Sequence, residues 1–142
     1  MPARGYEYFT VVIPVGTAVG TTITDQNGVA HHSIPFHRFA SGFVRMPADW
    51  TDADLGLKNC YADSSLAADY LAFLNDDGTY GTAQTSKTMV VDGISTSAAK
   101  DYQIPFSWFG AAFARLHSVN RASGADVNQA TANKTIIVGL KT

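Results

Sequence analysis

The chain carries little charge and only one cysteine. Charged side chains make up 15% of its 142 residues and the formal net charge at pH 7 is -2, whereas an ordinary domain carries about 25% charged residues. This composition gives no basic field that would attract a phosphate backbone, so we expect no nucleic-acid partner. The single cysteine, Cys60, excludes an internal disulfide and a zinc site built on several thiolates. Because Cys60 falls in a predicted strand, we interpret it as a buried, inert thiol.

Long apolar runs are also missing. No segment reaches the roughly 20 continuous apolar residues that a membrane-spanning helix needs, so we expect no membrane partner. The apolar stretch Tyr8–Gly20 is interrupted by Pro14 and flanked by Glu7, a composition that does not fit a signal peptide. We therefore expect synthesis in the cytoplasm.

The common catalytic motifs are absent from the sequence. It contains no G-x-S-x-G, no H-E-x-x-H, no glycine-rich phosphate loop and no paired cysteines. A β-rich chain with few ionisable groups also has little with which to arrange perturbed pKa values. We expect no catalytic residue, no metal and no cofactor, and we interpret the protein as not an enzyme, with a hydrolase as a weaker alternative.

Short segments rich in β-branched and aromatic residues make up much of the chain. Tyr6–Ile13 is apolar on both faces, Ala112–Val119 alternates like a strand with one buried face, and Lys134–Lys141 alternates like a strand that closes the sheet. About eight or nine such segments with little helix are typical of a β-sandwich or jelly roll. We predict an all-β, jelly-roll-like β-sandwich in a single domain, in which residues 1–30 form an extended N-terminal arm and the first strands and residues 31–142 form the sandwich.

Two turns are specified by their residues. Asn27-Gly28 is a pair favoured where two consecutive residues need positive φ, and it predicts a hairpin from about Thr21 to about Phe36. The segment Asn75–Gly78 predicts a second hairpin, and its paired aspartates are interpreted as solvated turn formers. The first turn lacks the alternating carboxylates of a calcium loop.

Three histidines, His31, His32 and His37, lie within seven positions. Adjacent strand residues point to opposite faces, so His31 and His32 cannot both aim at one ion that His37 joins from the side of His31. We interpret the three as surface or interface residues, with a pair of metal ligands as the alternative. His117 is distant in sequence and has no accompanying carboxylate signature.

The segment Phe43–Tyr61 predicts a structural corner. Pro47 ends a strand because it has no N–H to donate to a ladder, and Trp50 is expected to fold back over the core. Leu55 and Leu57 then share one face of the next strand. Trp108, in the aromatic run after Pro105, is interpreted as a second core plug.

Several motifs in the later part of the chain resemble a known family. Met46-Pro47 and Trp50-Thr51, with Ala53 and Leu55, give M-P-x-x-W-T-x-A-x-L. The others are D-D-G-T at Asp76–Thr79, an aromatic turn at Phe109, R-L-x-S at Arg115–Ser118, D-V-N-Q-A at Asp126–Ala130, and an apolar strand that ends at Lys141. Over about Phe36–Thr142 the chain resembles small structural proteins of tailed bacteriophages, and the capsid decoration (cement) proteins with a jelly-roll-like fold fit best.

The resemblance implies a structural component of the virion, on the capsid exterior. Such a protein would bind the outer surface of the major capsid protein lattice and stabilise the head by bridging neighbouring subunits. Self-association as a dimer or trimer is also expected from the apolar N-terminal strand and the low charge. We expect contacts from an arm, Tyr6–Val19, as a strand donated to a neighbour or laid along it, and from a loop, Ala122–Ala132. The candidate contact residues are Tyr6, Tyr8, Phe9, Val11, Ile13, Val15, Asp126, Asn128 and Gln129.

An alternative function is a carbohydrate- or receptor-binding β module of a phage tail. In that case Trp50, Trp108 or nearby tyrosines would provide stacking surfaces for a ligand. The burial of the two tryptophans distinguishes these functions, because an enclosed indole offers no such surface.

Overall fold

A computed structural model of the chain describes residues 5–60, 62–63, 69–70, 91, 98–120 and 123–142. These residues form β-strands joined by loops and two short 3₁₀ helices, Phe36–Arg38 and Phe106–Gly110, so the prediction of an all-β fold is confirmed. In this part of the chain no helix is long and apolar enough to cross a membrane. The strands are β1 (Tyr6–Ile13), β2 (Thr22–Asp25), β3 (Ala30–His31), β4 (Ser41–Met46), β5 (Asp54–Cys60), β6 (Asp69–Tyr70), β7 (Lys100–Gln103), β8 (Phe113–Val119) and β9 (Lys134–Lys141).

The described strands form two antiparallel sheets. One has six strands in the order β3-β2-β1-β9-β4-β7, and the other has three in the order β6-β5-β8. β1 pairs with β9 along its whole length, from Tyr6 opposite Lys141 to Ile13 opposite Lys134. β9 begins and ends where the sequence predicted, but it lies inside the sheet, between β1 and β4, and does not close its edge.

The first strand is not an extended arm. β1 is hydrogen-bonded to β2 on one side and to β9 on the other, and Phe9, Val11 and Ile13 are at most 2% exposed. Full burial of such side chains contributes about 1.5–3 kcal/mol each. A strand that is apolar on both faces needs cover, and here the chain's own core covers one face. Both edges of Tyr6–Ile13 are therefore paired within its own chain, so this strand is not donated to the sheet of a neighbour.

The rest of the predicted arm is also held by its own chain. The N–H of Gly16 donates to the carbonyl of Gln129 at 2.8 Å, and the N–H of Gly20 donates to the carbonyl of Leu116, also at 2.8 Å. The carbonyl of Ala18 accepts the N–H of Ser118 at 2.7 Å. The segment after β1 thus runs beside β8 and the loop that precedes β9.

The first predicted hairpin is present, with a different turn. β2 and β3 pair as expected, but Gly28 has a positive φ of 79° and Asn27 does not. The N–H of Asp25 donates to the carbonyl of Val29 at 2.9 Å, which encloses a three-residue loop with glycine at the left-handed position. The Asp25 carboxylate accepts the N–H groups of Asn27 at 2.8 Å and Val29 at 3.0 Å, and these bonds favour this turn over the two-residue one. The second predicted hairpin, Asn75–Gly78, lies outside the described residues, as does the D-D-G-T motif.

Both sheets contribute to one hydrophobic core. From the six-stranded sheet it includes Phe9, Val11, Ile13, Ile23, Val44, Met46, Ile136, Val138 and Leu140, and from the three-stranded sheet Leu55, Leu57, Ala114 and Leu116. Pro47 follows the end of β4, and the loop after it places Trp50 at 6% exposure, with its indole N–H donating to the carbonyl of Ala53 at 3.0 Å. Trp108, in the Phe106–Gly110 3₁₀ helix, is fully buried.

β8 is buried on both faces, which the sequence did not predict. From Ala114 to Val119 every residue is buried, including Arg115 and His117. β5 pairs with one edge of β8, and bridges from Val19 and Asp126 add further contacts. The polar side chains find partners: the Arg115 Nε donates to the carbonyl of His32 at 2.8 Å. The expectation of one exposed face is wrong because residues of other segments, among them His32 and Asp126, contact the Arg115 and His117 side chains on that face.

Candidate interaction surface

The face of the six-stranded sheet turned away from the core, called here the outer face, carries partly exposed aromatic and threonine side chains. Side chains alternate along a strand, so the β1 residues between the buried ones point outward. The register of β1 with β2 and β9, and of β4 with β7 and β9, shows which residues of the other strands share a face with these outward β1 residues. The outer face consists of Tyr6, Tyr8, Thr10, Val12, Thr22, Thr24, Ser41, Phe43, Arg45, Asp101, Gln103, Thr135, Ile137, Gly139 and Lys141.

Three rings pack against one another at one end of the outer face. The ring centroids of Tyr6 and Phe43 are 5.6 Å apart, those of Tyr6 and Tyr8 are 6.2 Å apart, and those of Tyr8 and Phe43 are 6.3 Å apart. Both tyrosines meet Phe43 edge to face, at 67° and 73°, a geometry worth about 0.5–1.5 kcal/mol a pair. The three rings therefore form a rigid apolar cluster without a common plane.

Gly139 makes this cluster possible. It lies on β9, opposite both Tyr8 and Phe43. A Cβ atom at this position would lie 2.5 Å from Cε1 and 2.8 Å from Cζ of Phe43. The missing side chain therefore lets the Phe43 ring lie over the backbone of β9.

The charged side chains of the outer face stand toward its margins. Arg45 and Asp101 form a two-pronged pair with N–O distances of 2.8 and 3.0 Å. The hydrogen bond to Arg45 lowers the pKa of Asp101, and the same bond raises the pKa of Arg45. Lys141 places its Nζ 5.7 Å from the Tyr6 ring centroid, within the range of a cation–π contact. On β1, β2 and β9, Lys141 is the one charged residue of the outer face.

The structure separates the predicted contact residues of β1 into two groups. Phe9, Val11 and Ile13 face the core of their own chain, so the expectation that they contact a partner is wrong. Tyr6 and Tyr8 are partly exposed on the outer face. Val15, just after β1, is 50% exposed. Sequence reasoning missed Phe43 and Ile137 because their membership of this face depends on the pairing of β4, β9 and β1.

The predicted contact loop is divided in the same way; its first residue, Ala122, lies outside the described residues. Asn128 is exposed, but Gln129 is 1% exposed. The Gln129 Oε1 accepts the N–H of Thr51 at 2.8 Å, while its Nε2 donates to Ser118 Oγ at 2.8 Å and to the Thr51 carbonyl at 3.3 Å. Gln129 is therefore a buried residue that links the Thr51 segment to β8, and its prediction as a contact residue is wrong.

Two segments, Pro14–Thr17 and 127–133, are bonded to each other and are called here the end loops. The N–H of Val15 donates to Asn133 Oδ1 at 2.8 Å, and the N–H of Gln129 donates to the Thr17 carbonyl at 2.8 Å. Thr131 has a φ of 76°, which is unusual for a β-branched residue. The end loops bring Val15 and Asn128 onto linked, exposed segments.

Asp126, the remaining predicted contact, bonds to buried His117. The His117 Nδ1 lies 2.9 Å from one Asp126 oxygen, and the Lys58 Nζ lies 3.5 Å from the other. Burial lowers the pKa of His117 despite the opposing hydrogen bond to Asp126, so the ring is neutral at pH 7 and its Nδ1–H donates to the carboxylate. Burial acts to raise the pKa of Asp126, but the bond from His117 and the charge of Lys58 lower it overall.

The space for His117 comes from a glycine on the neighbouring strand. Gly56 is the register partner of His117, and a Cβ there would lie 2.4 Å from its Nε2. His117 is fully buried, and its bond to Asp126 joins the loop before β9 to β8. The carboxylate that the sequence did not reveal lies nine positions after the histidine.

The clustered histidines contact different groups. The His31 Nε2 is 2.9 Å from Asp25 Oδ2, a contact that lowers the pKa of Asp25. The His37 Nδ1 is 3.1 Å from the carbonyl of Ala112, and His32 is exposed. The described part of the chain contains no group of three or more His, Cys, Asp or Glu side chains arranged to hold a metal ion.

Cys60 lies at the end of β5 and is 7% exposed. Burial raises the pKa of its thiol, which lowers the fraction of reactive thiolate at pH 7.

Comparison with known proteins found no relative. No protein-family model, no curated protein and no solved structure matches this chain.

Proposed function

We propose that this chain is a virion structural protein, a capsid decoration (cement) protein. It binds the outer surface of the major capsid protein lattice and stabilises the head by bridging neighbouring subunits. In this proposal the two sheets form a β-sandwich of the jelly-roll type, and the chain has no catalytic role. Its location is the capsid exterior.

One observation carries the proposal: residues from three separate phage-like motifs contact one another. Thr51 belongs to the first motif, Ser118 to R-L-x-S, and Gln129 and Ala130 to D-V-N-Q-A. Gln129 bonds to Thr51 and Ser118 as described above, and the N–H of Ala130 donates to Thr51 Oγ1 at 3.0 Å. Motifs 78 residues apart thus specify a single polar junction beside the Trp50 corner. Motifs that work together in this way support a resemblance of fold.

The end loops are the surface that we assign to the capsid lattice. Val15 is a half-exposed apolar side chain and Asn128 an exposed amide, a combination suited to a mixed polar and apolar interface. A protein that touches two capsid subunits at once dissociates only when both contacts break, so modest contacts suffice for tight attachment.

The carbohydrate-binding alternative has less support. Trp50 and Trp108 are 6% and 0% exposed, so neither indole offers a stacking surface. The rings of Tyr6, Tyr8 and Phe43 are tilted against one another by 37° to 73°, whereas a sugar ring stacks on a flat aromatic face.

Co-sedimentation with phage heads that lack the protein tests the proposal. We expect the purified chain to pellet with the heads at saturating, lattice-scale stoichiometry and to raise the temperature at which the heads break open. Val15→Glu combined with Asn128→Glu is expected to weaken binding, while Val29→Glu, at an exposed apolar residue of the β2–β3 turn, leaves it unchanged. Heads that bind no wild-type protein, or bind all three proteins equally, would contradict the proposed function or its assigned surface, respectively.

A further inference from the structure

We propose that the outer face of the six-stranded sheet pairs with the same face of a second copy of this chain, in a twofold dimer. The proposal concerns the free protein and does not require a capsid. It assigns the outer face to self-association, separately from the end loops that we assign to the lattice.

The size of the outer face fits a small dimer interface. The five strands from β2 to β7 contain 30 residues, and each residue covers about 3.4 Å along its strand and about 4.8 Å across it. The flat area is therefore about 490 Å², and the relief of the exposed side chains raises the accessible surface that a partner covers above this value. A standard protein interface buries about 800 Å² on each partner.

The chemistry of the face fits a protein partner without strong charge. Tyrosine and phenylalanine, which form the ring cluster, are enriched at the centres of interfaces, where lysine and acidic residues are depleted. Ile137, near the middle of β9, is 37% exposed, and its register neighbours are Thr10 and Arg45. Arg45 is neutralised by Asp101, so the face carries no field that selects an anionic or a cationic partner.

Symmetry makes a second copy the partner that suits this face. In a twofold contact each residue meets the same surface patch on the partner, so a patch that repels itself is excluded. Lys141 is the cation of this face that has no acidic partner within the face, and it lies at the Tyr6 end. An axis that crosses the strands at Ile137 places this end over the Val12 end of the other copy, which separates the two lysines and brings the two Ile137 side chains together. The same axis brings Arg45, the register neighbour of Ile137, near its own copy, and the bond to Asp101 within each chain offsets that repulsion.

Sedimentation velocity over a concentration series tests the proposal. We expect wild-type protein to reach twice the chain mass of 15.2 kDa as the concentration rises. Ile137→Arg sets two cations against each other at the axis and is expected to raise the dimer dissociation constant at least about 30-fold, as for an interface hot spot. Val29→Arg makes the same kind of change at an exposed apolar residue away from this face and is expected to leave the constant unchanged.

A cysteine placed on the axis gives a second measurement. Ile137→Cys is expected to form an intermolecular disulfide in air, whereas Val29→Cys stays reduced and the buried Cys60 does not compete. Urea unfolding of Ile137→Arg shows whether the variant is folded; if it is not, the cross-link decides.

The outcomes separate this proposal from the proposed function. A wild-type monomer at all concentrations, a trimer, or a dimer that Ile137→Arg leaves intact would overturn the dimer, whether or not the protein binds heads. A monomer whose binding to heads is lost in Ile137→Arg would also overturn it, because the lattice would then cover the outer face. A dimer that does not bind heads would support this inference and contradict the capsid proposal.

Discussion

Replacement of Gln129 tests the polar junction that we offer in support of the capsid proposal. In Gln129→Ala the buried Ser118 hydroxyl and the backbone N–H and C=O of Thr51 lose their side-chain partner. Ser118 is fully buried, and a buried polar group left without a bond costs about 1–3 kcal/mol. Thr51 is half-buried, so water replaces part of its loss at a cost of about 0.5–1.5 kcal/mol. We expect a total loss of about 2–4 kcal/mol of unfolding free energy.

Urea unfolding followed by tryptophan fluorescence measures this loss. For a slope of about 1–3 kcal/mol per molar urea, the midpoint falls by about 1 M or more with the slope unchanged. Asn128→Ala is the matched control, because its exposed side chain is expected to contribute within about 0.5 kcal/mol. Gln129→Glu keeps the shape but replaces the donor with a charge beside the Thr51 carbonyl, and it is expected to destabilise at least as much. A Gln129→Ala midpoint equal to that of Asn128→Ala would refute the junction.

Three further predictions concern other sites. Burial lowers the pKa of His117 below its unfolded value of about 6.5, so the unfolded chain binds the proton more tightly than the folded one. The contribution of neutral His117 to the unfolding free energy is therefore fully present above pH 6.5 and is lost as the pH falls through the folded pKa. We expect the urea midpoint to drop between pH 7 and 5, and His117→Gln to reduce that dependence on pH. Gly139→Val forces a side chain into Phe43 and is expected to lower the unfolding free energy by about 1–3 kcal/mol. The same substitution is expected to cost less in a Phe43→Ala background, and additive effects of the two substitutions would contradict the contact. Thr131 has a positive φ, which asparagine adopts more readily than a β-branched residue. Thr131→Asn is therefore expected to raise the unfolding free energy by about 0.5–1 kcal/mol, and a lower calorimetric melting temperature would contradict this expectation.

The sequence predicted the elements better than it predicted their neighbours. Alternation in Lys134–Lys141 gave the bounds of β9, and Asn27-Gly28 located the first hairpin. For β1, the apolar pattern required cover on both faces but could not say whether the cover came from the same chain. The full-length pairing with β9 joins the two ends of the described chain, and no local pattern encodes such a distant contact.

Buried polar residues were the main source of error. Polar positions in β8 and in the loop before β9 predicted exposure, yet His117 and Gln129 are at most 1% exposed. Lys134 is also buried, and its Nζ lies 3.1 Å from Asp49 as an ion pair that lacks the direction of a good hydrogen bond. Each of these residues contacts a residue from another segment of the chain, so periodicity alone could not reveal their burial.

A cryo-EM reconstruction of virus particles that carry this chain tests the central claim most directly. The capsid proposal predicts many copies on the outside of the head, repeated over the lattice, with the end loops against the capsid subunits. Density for the chain only at the tail, or in one or a few copies at a single vertex, would contradict it.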